Sequence, residues 1–475
     1  MLEGLEIQEV LLSEIHIDNE EFRLDDDYYR KEYISIYSKI SDYALLKDIV
    51  TMSDVSSNGS FAYVQETLND NNPKIIPYIR SGNVGETFIY HDDLVKISKE
   101  AHDKLKLSQT KLHDIMMARK GKIGGASIIT EQEVNFNCNE NVIKLSIKDA
   151  TGINPFYFVT FFNSKYGIKQ IERLSTGNVQ PWVSIYQIRK LRLSILSSYF
   201  QSEIENVVRN AHRSIQKSLS YYSVADKLLA EELYLKDWAC DEHQVNIKRY
   251  KESFIAAGRL DAEYYQTKYD AILKKICKNR TKRLFQLVEM QKSVEPGSDY
   301  YLAEGVPFVR VADLTKFGIT KPSIFLDKDI FKDVIRPKQD TILMSKDGSI
   351  GIAYKVEKDE DFITSGAILH LQIIDDNILP DYLTLVINSK VVQMQAERDA
   401  GGSIIQHWKP SEISNVVIPI LPMEKQQEIS QKVQESFRLR NESKRLLNVA
   451  KTAVEIAIGE SEETALEYLK ENENG

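Results

Sequence analysis

An internal repeat limits the folds open to this chain more than any other feature of its sequence. The segment "RLDDDYYRKEY", which begins at Arg23, returns as "RLDAEYYQTKY" at Arg259, and "INPFYFVTFFNSKYGIKQIER" at Ile153 returns as "ILPDYLTLVINSKVVQMQAER" at Ile378. The spacing between the copies falls from 236 to 225 residues along the chain, as insertions in surface loops would produce. The repeat therefore predicts two copies of one domain.

Each copy combines strand and helix patterns. Short runs rich in β-branched and aromatic residues predict strands, among them "KIIPYIR" and "VIKLSI" in the first copy and "VPFVRV" and "ILHLQI" in the second. One segment per copy, beginning at Pro155 and at Pro380, starts with proline and continues with apolar residues at helical spacing, which predicts one helix in each. We therefore expect an α+β fold in each copy, with few helices packed on a sheet.

A long heptad-like segment follows each domain. Apolar or small residues alternate at steps of four and three, as in the seam of a coiled coil, and neither segment contains proline or glycine within this pattern. The seam positions are Ile204, Val208, Ala211, Ile215, Ser218, Tyr222, Ala225 and Leu229, and, 225 residues later, Ile429, Val433, Ser436, Arg440, Ser443, Leu447, Ala450 and Val454. Each segment is predicted to be one helix of roughly 30 residues, about 45 Å long.

A duplicated unit of domain plus helix can close on itself by a pseudo-twofold axis. The two helices would then lie antiparallel along their seam and hold the globular domains apart at opposite ends. A separation of about 45 Å corresponds to on the order of a dozen base pairs of duplex DNA. This geometry suits the recognition of two separated half-sites, and it would equally suit any two-ended scaffold.

Composition restricts the class of protein further. A chain of 475 residues with 42% hydrophobic and 28% charged residues is typical of a globular protein with two or three domains. No apolar run is long enough for a membrane span, and the start "MLEGLEIQEV" does not resemble a signal peptide, so we expect a cytoplasmic protein. The three cysteines stand far apart, which predicts neither disulfides nor a zinc site.

Charge is distributed unevenly between the copies. The net charge of −9 argues against a protein that coats nucleic acid indiscriminately, although it leaves room for a local basic surface. Residues 118–192 contain eleven Lys or Arg against five Asp or Glu, whereas residues 345–417 contain six against eleven. Any electrostatic attraction for DNA is therefore expected to be stronger in the first copy.

The sequence lacks the common catalytic motifs. It contains no phosphate-binding GxxxxGK[ST] loop, no GxGxxG, no HExxH and no GxSxG. The tetrapeptide "NPFY" at residues 154–157 is similar to the NPPY signature of amino-methyltransferases, but the second copy has "LPDY" at residues 379–382 and no glycine-rich cofactor loop precedes either. These differences argue against methyl transfer by this chain.

Two repeated loop segments are candidates for DNA contact. "STGNVQPWVSI" at residues 175–185 and "AGGSIIQHWKPSEI" at residues 400–413 both contain glycine, uncharged polar residues and tryptophan. Gln and His can donate to and accept from base edges in a groove, whereas the tryptophans could equally be core or helix-cap anchors. The loop could also fix the angle between domain and helix. The candidates are Asn178, Gln180, Trp182, Ser403, Gln406, His407, Trp408 and Lys409.

A second candidate surface is a glycine-containing turn in each copy, "ARKGKIGG" and "SKDGSIGI". Basic side chains at such a turn can neutralise phosphates, and glycine allows a close approach to the DNA backbone; the alternative is an ordinary solvated hairpin. Arginines also recur at the ends of two matching strands, where their role is positional or structural. The candidates here are Arg119, Lys120, Lys122, Lys346 and Ser349 at the turns, and Arg80 and Arg310 at the strand ends.

The repeats and the segments that follow them resemble a known family. Two loops of the type G-x-x-Q-x-W, each followed by an apolar strand and a glutamine-containing helix start ("LRLSILSSYFQSEI" and "VVIPILPMEKQQEI"), are similar to the specificity subunit of Type I restriction-modification systems. The resemblance covers both repeats, both long helices and the length. The second copy, with "IPILPMEKQQEI", carries the more specific match, because the first has lost the usual prolines.

The resemblance implies a division of labour among subunits, in which this chain would have neither catalytic residues nor a cofactor of its own. Each repeat would be a target recognition domain that reads one half of a bipartite double-stranded DNA sequence, and the helices would set the spacing and dock two modification subunits. Those partners would bind S-adenosylmethionine and methylate adenine, while a restriction subunit would use ATP and Mg²⁺ for translocation and cleavage in a prokaryotic cytoplasm. Two alternatives remain: a related system whose partner fuses methylation and cleavage, and a protein-binding scaffold without DNA recognition.

These patterns predict a division of the chain into six segments. They are residues 1–22, the N-terminal part of a conserved region; 23–197, recognition domain 1; 198–236, the central spacer helix; 237–258, a linker; 259–421, recognition domain 2; and 422–475, the C-terminal spacer helix and tail.

Overall fold

The computed structural model describes residues 10–15, 23–121, 123–177, 181–236, 238, 245–400 and 406–472. The chain divides into two compact units, one formed by Met1–Ser214 with Glu442–Gly475 and the other by Ile215–Asn441. Each unit contains one copy of the repeat and part of each long helix. The predicted α+β fold is confirmed in both copies.

Unit 1 contains one large sheet and two smaller ones. The large sheet has the order β2-β9-β6-β7-β4, beside a sheet β5-β3-β8 and the pair β1-β10. The central strand β6 is buried along its whole length, as expected for a strand covered on both faces. The strands are β1 (Tyr43–Leu45), β2 (Val50–Ser53), β3 (Lys74–Ile79), β4 (Thr87–Phe88), β5 (Val95–Ser98), β6 (Ile115–Ala118), β7 (Ala126–Ile128), β8 (Asn137–Cys138), β9 (Val142–Ile147) and β10 (Arg192–Ser194).

Unit 2 repeats this plan. Its main sheet has the order β12-β20-β17-β18, beside β16-β13-β19 and the pairs β11-β21 and β14-β15. The four predicted strands lie in matching places, as β3 and β13 in the smaller sheets and β9 and β20 in the main ones. The strands are β11 (Thr281–Arg283), β12 (Val288–Lys292), β13 (Val306–Val309), β14 (Leu314–Thr315), β15 (Gly318–Ile319), β16 (Phe325–Leu326), β17 (Ile342–Ser345), β18 (Ala353–Lys355), β19 (Ile363–Thr364), β20 (Ile368–Ile373) and β21 (Val417–Pro419).

Helices pack on these sheets and connect the domains to the long helices. In unit 1 they are α1 (Leu12–Ile15), α2 (Lys31–Lys39), α3 (Leu46–Ile49), α4 (Phe61–Leu68), α5 (Lys99–Lys104), α6 (Pro155–Asn163), α7 (Lys165–Leu174) and α8 (Ile185–Ile188). The long helix α9 (Ser198–Glu232) continues into unit 2, which adds α10 (Phe254–Ala257), α11 (Thr267–Ile276), α12 (Pro380–Asn388), α13 (Lys390–Asp399) and α14 (Pro410–Ser414). The second long helix α15 (Met423–Gly459) is followed by α16 (Glu462–Asn472).

The segment predicted as a single helix in each copy is in fact two helices. Ser164, between α6 and α7, has an extended backbone with ψ of 167°, and Ser389 separates α12 from α13 in the same way with ψ of 165°. A Cβ atom at Gly167 would lie 2.3 Å from the Cα atom of Phe162, so the two helices pack too closely at this point for any larger residue. Apolar periodicity continues through the break, which is why the sequence alone predicts one helix.

The "NPFY" tetrapeptide has a structural role. Asn154 caps α6 by accepting hydrogen bonds from the backbone amides of Phe156 and Tyr157, and proline follows at the first helical position. The buried Tyr157 hydroxyl donates to the carbonyl of Ser194 at 2.8 Å. In the second copy, Tyr382 donates to the carbonyl of Pro419 at the same distance. Both tyrosines thus attach a helix to the strand that precedes a long helix.

The two long helices pack antiparallel within each unit. In unit 1, Ile204 and Ala211 of α9 share a core with Ala450 and Val454 of α15. In unit 2, α9 and α15 meet again, and Lys425 lies 2.9 Å from Glu232. All predicted seam residues are buried except Ile215, Arg440 and Leu447, which are partly buried. The heptad prediction is therefore confirmed.

A pair of serines occupies the polar centre of the seam within unit 2. Ser218 and Ser436 are fully buried, and their hydroxyls lie 3.1 Å apart. The Ser436 hydroxyl also donates to the carbonyl of Ser218 at 2.8 Å. The seam accommodates these side chains because each finds a hydrogen-bonding partner across it.

A glutamine attaches each long helix to its own domain. The Gln201 side chain accepts from the backbone amide of Asn154 at 2.9 Å, and Gln426 accepts from that of Leu379 at 3.0 Å. Both glutamines are buried. The glutamine in each repeated helix start therefore fixes the junction between domain and helix.

Candidate nucleic-acid interface

The two candidate surfaces of the first copy lie against each other. The strands β6 and β7 form a hairpin, and its tip contacts the loop that follows α7. The Gly121 amide donates to the carbonyl of Pro181 at 3.3 Å, while Trp182 forms β-bridges with both Lys120 and Thr176. The hairpin and the loop thus meet at what we call the hairpin-loop junction: residues 119–121 with 176–177 and 181–183 in the first copy.

The second copy builds the same junction from residues 346–349 and 406–408. The Gly348 amide donates to the carbonyl of Gln406 at 2.9 Å, and Asp347 forms a β-bridge with His407. Gly121 and Gly348 have φ of 83° and 72°, a conformation that glycine adopts at little cost. A Cβ atom at Gly348 would have no atom within 4 Å, so backbone conformation rather than lack of space favours glycine there.

The backbone hydrogen bonds show which residues of the two loops occupy the same position. This structural alignment is shifted by one residue from the alignment of the two loop sequences, which pairs Trp182 with Trp408. The amide of Val183 donates to the carbonyl of Arg119 at 2.9 Å, and the amide of Trp408 donates to the carbonyl of Lys346 at 2.8 Å. Val183 and Trp408 therefore match, and both side chains are buried, with exposed fractions of 0% and 1%. The expectation that Trp408 faces DNA is wrong, because its indole lies within the hydrophobic core of unit 2.

Trp182 and His407 are the residues that occupy the matching exposed position. Trp182 is 44% exposed, and the side chain of His407 is 63% exposed. Each stands directly before the buried residue of its own copy. An aromatic ring is thus presented at the same place in both junctions, an indole in one and an imidazole in the other.

The cations of the first junction differ in accessibility. Arg119 turns toward its own domain, where its Nε donates to the carbonyl of Glu140 at 2.6 Å and its guanidinium lies 3.4 Å from the buried carboxylate of Asp54. Lys120, in contrast, is exposed. Sequence comparison could not foresee the role of Asp54, because it lies 65 positions before Arg119 and outside any repeated motif.

The cation of the second junction is engaged by a neighbouring acid. Lys346 forms an ion pair with Asp347, whose other oxygen lies 2.9 Å from Nδ1 of His407. Partial burial raises the pKa of the Asp347 carboxyl, but the hydrogen bonds from Lys346 and His407 outweigh this effect and hold the pKa below its usual value. An ionised Asp347 accepts a hydrogen bond from Nδ1 and so orients the imidazole with Nε2 directed away from the acid.

The two matching arginines occupy one structural position. The backbone amides of Arg80 and Arg310 donate to the side chains of Asn83 and Asp313, at 3.0 and 2.9 Å, where a 3-10 turn follows the strand. The Arg80 guanidinium also donates to the carbonyl of Asp93 at 3.0 Å. The two arginines thus share a role in this turn, which their main-chain amides form. The Nε atom of Arg310 also lies 3.6 Å from the Asp313 carboxylate.

The remaining candidates fall into two groups. Ser349, Gln406 and Lys409 are exposed; the carbonyl of Ser349 accepts from the hydroxyl of Ser345 at 2.6 Å, and Lys409 precedes α14 with its Nζ 3.6 Å from Glu412. The other group lies outside the described residues: Lys122, Asn178, Gln180 and Ser403.

The fold and the junctions define a class of protein: a duplicated α+β domain, attached to paired long helices, with one exposed aromatic junction per copy. The sequence model of the Type I restriction modification DNA specificity domain matches residues 45–215 and again 278–449. The chain therefore belongs to this family and is a Type I specificity subunit with two target recognition domains. Membership implies recognition of a DNA sequence within a restriction-modification complex, in a family that is generally non-catalytic.

Similar solved structures include two named specificity subunits. The S subunit from M. genitalium is 13% identical, with a TM-score of 0.38 over 88% of this chain and 94% of that one. The HsdS subunit from Thermoanaerobacter tengcongensis is 12% identical, with a TM-score of 0.28 over 88% of this chain and 96% of that one. No curated protein sequence matches the chain.

Two features of other protein classes are missing from the described residues. Within them, no helix is both long and apolar enough to cross a membrane. Nor does any group of three His, Cys, Asp or Glu side chains in the same part of the chain have the arrangement of a metal site.

Proposed function

We propose that this chain recognises a bipartite target in double-stranded DNA, with one half read by each domain, and that it directs adenine methylation and restriction by its partner subunits. One observation carries the proposal: the hairpin-loop junction is built twice, and each copy exposes an aromatic side chain at the same position. Duplicated domains that expose different residues at one position suit the recognition of two different half-sites.

The exposed groups have the chemistry for two kinds of DNA contact. Lys120 can neutralise a phosphate, which contributes affinity without sequence preference. Trp182 offers an apolar ring face and one donor, whereas His407 offers a ring nitrogen that Asp347 helps to orient. Direct recognition of base edges depends on such donors, acceptors and apolar contacts. The two junctions are thus expected to prefer different base pairs.

The reactions themselves belong to other subunits in this proposal. Two modification subunits would bind S-adenosylmethionine and methylate adenine, and a restriction subunit would use ATP and Mg²⁺ to translocate and cleave DNA. This chain would supply DNA binding and spacing without a catalytic residue or a cofactor of its own. Expression with its modification subunits is therefore necessary for any test of activity.

The experiment is to purify the chain with its modification subunits, methylate a random-sequence DNA library and sequence the methylated adenines. The expected result is one asymmetric motif with two short parts of defined sequence, separated by a gap of constant length and any sequence. The modification subunits without this chain serve as the control and should show no such motif. Methylation without sequence preference by the complete complex would contradict the proposal.

A scaffold without DNA recognition remains the second candidate for the second domain alone. The observation in its favour is that Asp347 engages Lys346, which leaves this junction less able to attract phosphates. Replacing both Gln406 and His407 by alanine decides between the two functions. Unchanged methylation at every site would favour the scaffold, whereas relaxed preference in one half of the motif would favour DNA recognition.

A further inference from the structure

The repeated "RLD" motif has no role in the function proposed above, yet it makes the same contacts in both units. The guanidinium of Arg23 binds both carboxylate oxygens of Asp25, each at 2.8 Å. That of Arg259 binds both oxygens of Asp261, at 2.8 and 2.7 Å. Such paired hydrogen bonds hold a guanidinium in one plane as well as in one place.

The remaining nitrogen of each guanidinium binds the end of a helix. In unit 1, Arg23 donates to the carbonyls of Arg173 and Ser175, at 3.2 and 3.1 Å, where α7 ends. In unit 2, Arg259 donates to the carbonyl of Asp399, the last residue of α13, at 3.1 Å. The last carbonyls of a helix lack partners within the helix and carry partial negative charge, so a cation stabilises them.

A tyrosine shared by two arginines fixes this arrangement further. The Tyr28 ring contacts both Arg23, at 4.9 Å from the ring centroid, and Arg173, at 4.2 Å. In unit 2, Tyr264 contacts Arg259 at 4.6 Å in the same way, and Arg398 at 5.2 Å. Each aspartate partner has a pKa below its usual value because of its hydrogen bonds to arginine.

In unit 1, the helix end that Arg23 binds leads directly into the loop of the hairpin-loop junction. Ser175, whose carbonyl binds Arg23, is followed by Thr176. Thr176 and Trp182 exchange two backbone hydrogen bonds, at 3.0 and 2.9 Å, and Trp182 in turn pairs with Lys120. A continuous series of contacts therefore joins Arg23 to the exposed indole. In unit 2, α13 ends at Asp399 and the junction residues 406–408 follow it in the chain.

We propose that Arg23 and Arg259 are positioning residues for DNA recognition, and that each sets the geometry of the junction in its own domain only. The inference depends on the proposed function. Its chemical basis is the planar fork of arginine, which can hold a carboxylate and a helix end at the same time. Lysine keeps the charge but offers one compact ammonium group, which does not reproduce both contacts in fixed geometry.

The test compares Arg23→Lys with Arg259→Lys in the complex with the modification subunits. Each complex methylates target libraries in which one half of the motif is randomised while the other is kept intact. For Arg23→Lys we expect about a tenfold loss of discrimination in one half of the motif and unchanged discrimination in the other half. A tenfold loss is within the discrimination that a single side-chain contact to a base pair provides. Arg259→Lys is expected to show the reciprocal result.

Arg192→Lys is the matched control for the first domain. Arg192 stacks on Tyr37 and Tyr43 with ring distances of 4.9 and 4.3 Å, so its replacement also removes guanidinium stacking from unit 1. The Arg192→Lys complex should discriminate as well as the wild type in both halves of the motif. Should Arg23→Lys fold poorly, Asp25→Asn removes the carboxylate that orients Arg23 and is expected to affect the same half of the motif.

The outcomes distinguish this inference from the function on which it depends. If a lysine variant lost discrimination equally in both halves of the motif, or in neither half, the positioning role would be overturned, while the bipartite motif of the wild type would still support the proposed function. A wild-type complex without any bipartite motif would overturn both. General instability of the chain would lower methylation of all sites alike, and the Arg192→Lys control tests for instability confined to unit 1.

Discussion

Trp182 and His407 occupy the same position in the two domains, each paired through a β-bridge with the residue before the hairpin glycine. In the first domain that residue is Lys120, and in the second it is Asp347. One backbone arrangement thus carries two different pairs of side chains, a cation with an indole and an acid with an imidazole. The scaffold is shared, and the surface chemistry that it presents is specific to each domain.

Replacement of the two loop tryptophans should have opposite consequences for stability and recognition. Trp408→Ala removes a buried indole, which costs about 3–5 kcal/mol of unfolding free energy. Trp182→Ala removes a half-exposed one and should cost about 1 kcal/mol or less, but lower discrimination in one half of the target about tenfold. Urea denaturation and methylation of target libraries measure the two effects. A large loss of stability in Trp182→Ala would contradict the assigned register.

The sequence predicts the duplication, both long helices and the hairpin of each copy, because these depend on periodicity and repetition within short segments. It does not predict the one-residue register between the loops. Alignment of the two loop sequences pairs Trp182 with Trp408, whereas the structure pairs the two buried residues, Val183 and Trp408. In an extended segment a shift of one residue exchanges the buried and exposed faces, so this error reverses which tryptophan is accessible.

The inward orientation of Arg119 also could not be predicted. Its acidic partner Asp54 lies on a different element and is distant in sequence. In sequence, a basic residue at a hairpin tip whose side chain turns toward its own domain looks the same as one whose side chain reaches DNA. Only the three-dimensional arrangement separates Arg119 from its exposed neighbour Lys120.

Alanine at Lys120 and at Lys346 should affect the salt dependence of DNA binding differently. Lys120 is exposed, so its loss is expected to reduce the slope of log K against log salt by about 0.9, the contribution of one phosphate contact. Lys346 is paired with Asp347, and its loss should leave the slope nearly unchanged. Binding titrations of the complex from low to moderate salt measure the slope. Equal effects in both variants would contradict the difference in accessibility.

Asp347→Ala should relax the preference of the second domain at one position of its half-site. Removal of the carboxylate eliminates the acceptor for Nδ1 of His407, so the imidazole no longer has a fixed orientation. Asp347→Asn is the matched control, since its amide oxygen can still accept this hydrogen bond. Target-library methylation should show lower discrimination for alanine and near wild-type discrimination for asparagine. If both variants behave alike, orientation of His407 by hydrogen bonding is excluded.

The buried His370 should make unit 2 less stable as the pH falls. Its imidazole is fully buried in β20, with Nε2 2.8 Å from the Thr364 hydroxyl, and burial lowers its pKa from 6.5 to about 4. Below pH 6.5 the unfolded chain binds a proton that the folded chain does not, so unfolding free energy decreases between about pH 6.5 and 4, by at most about 3 kcal/mol. His370→Gln cannot take up this proton, and its urea-unfolding free energy should therefore decrease less than that of the wild type over this interval. Parallel curves for the two proteins would show that His370 is not the group responsible.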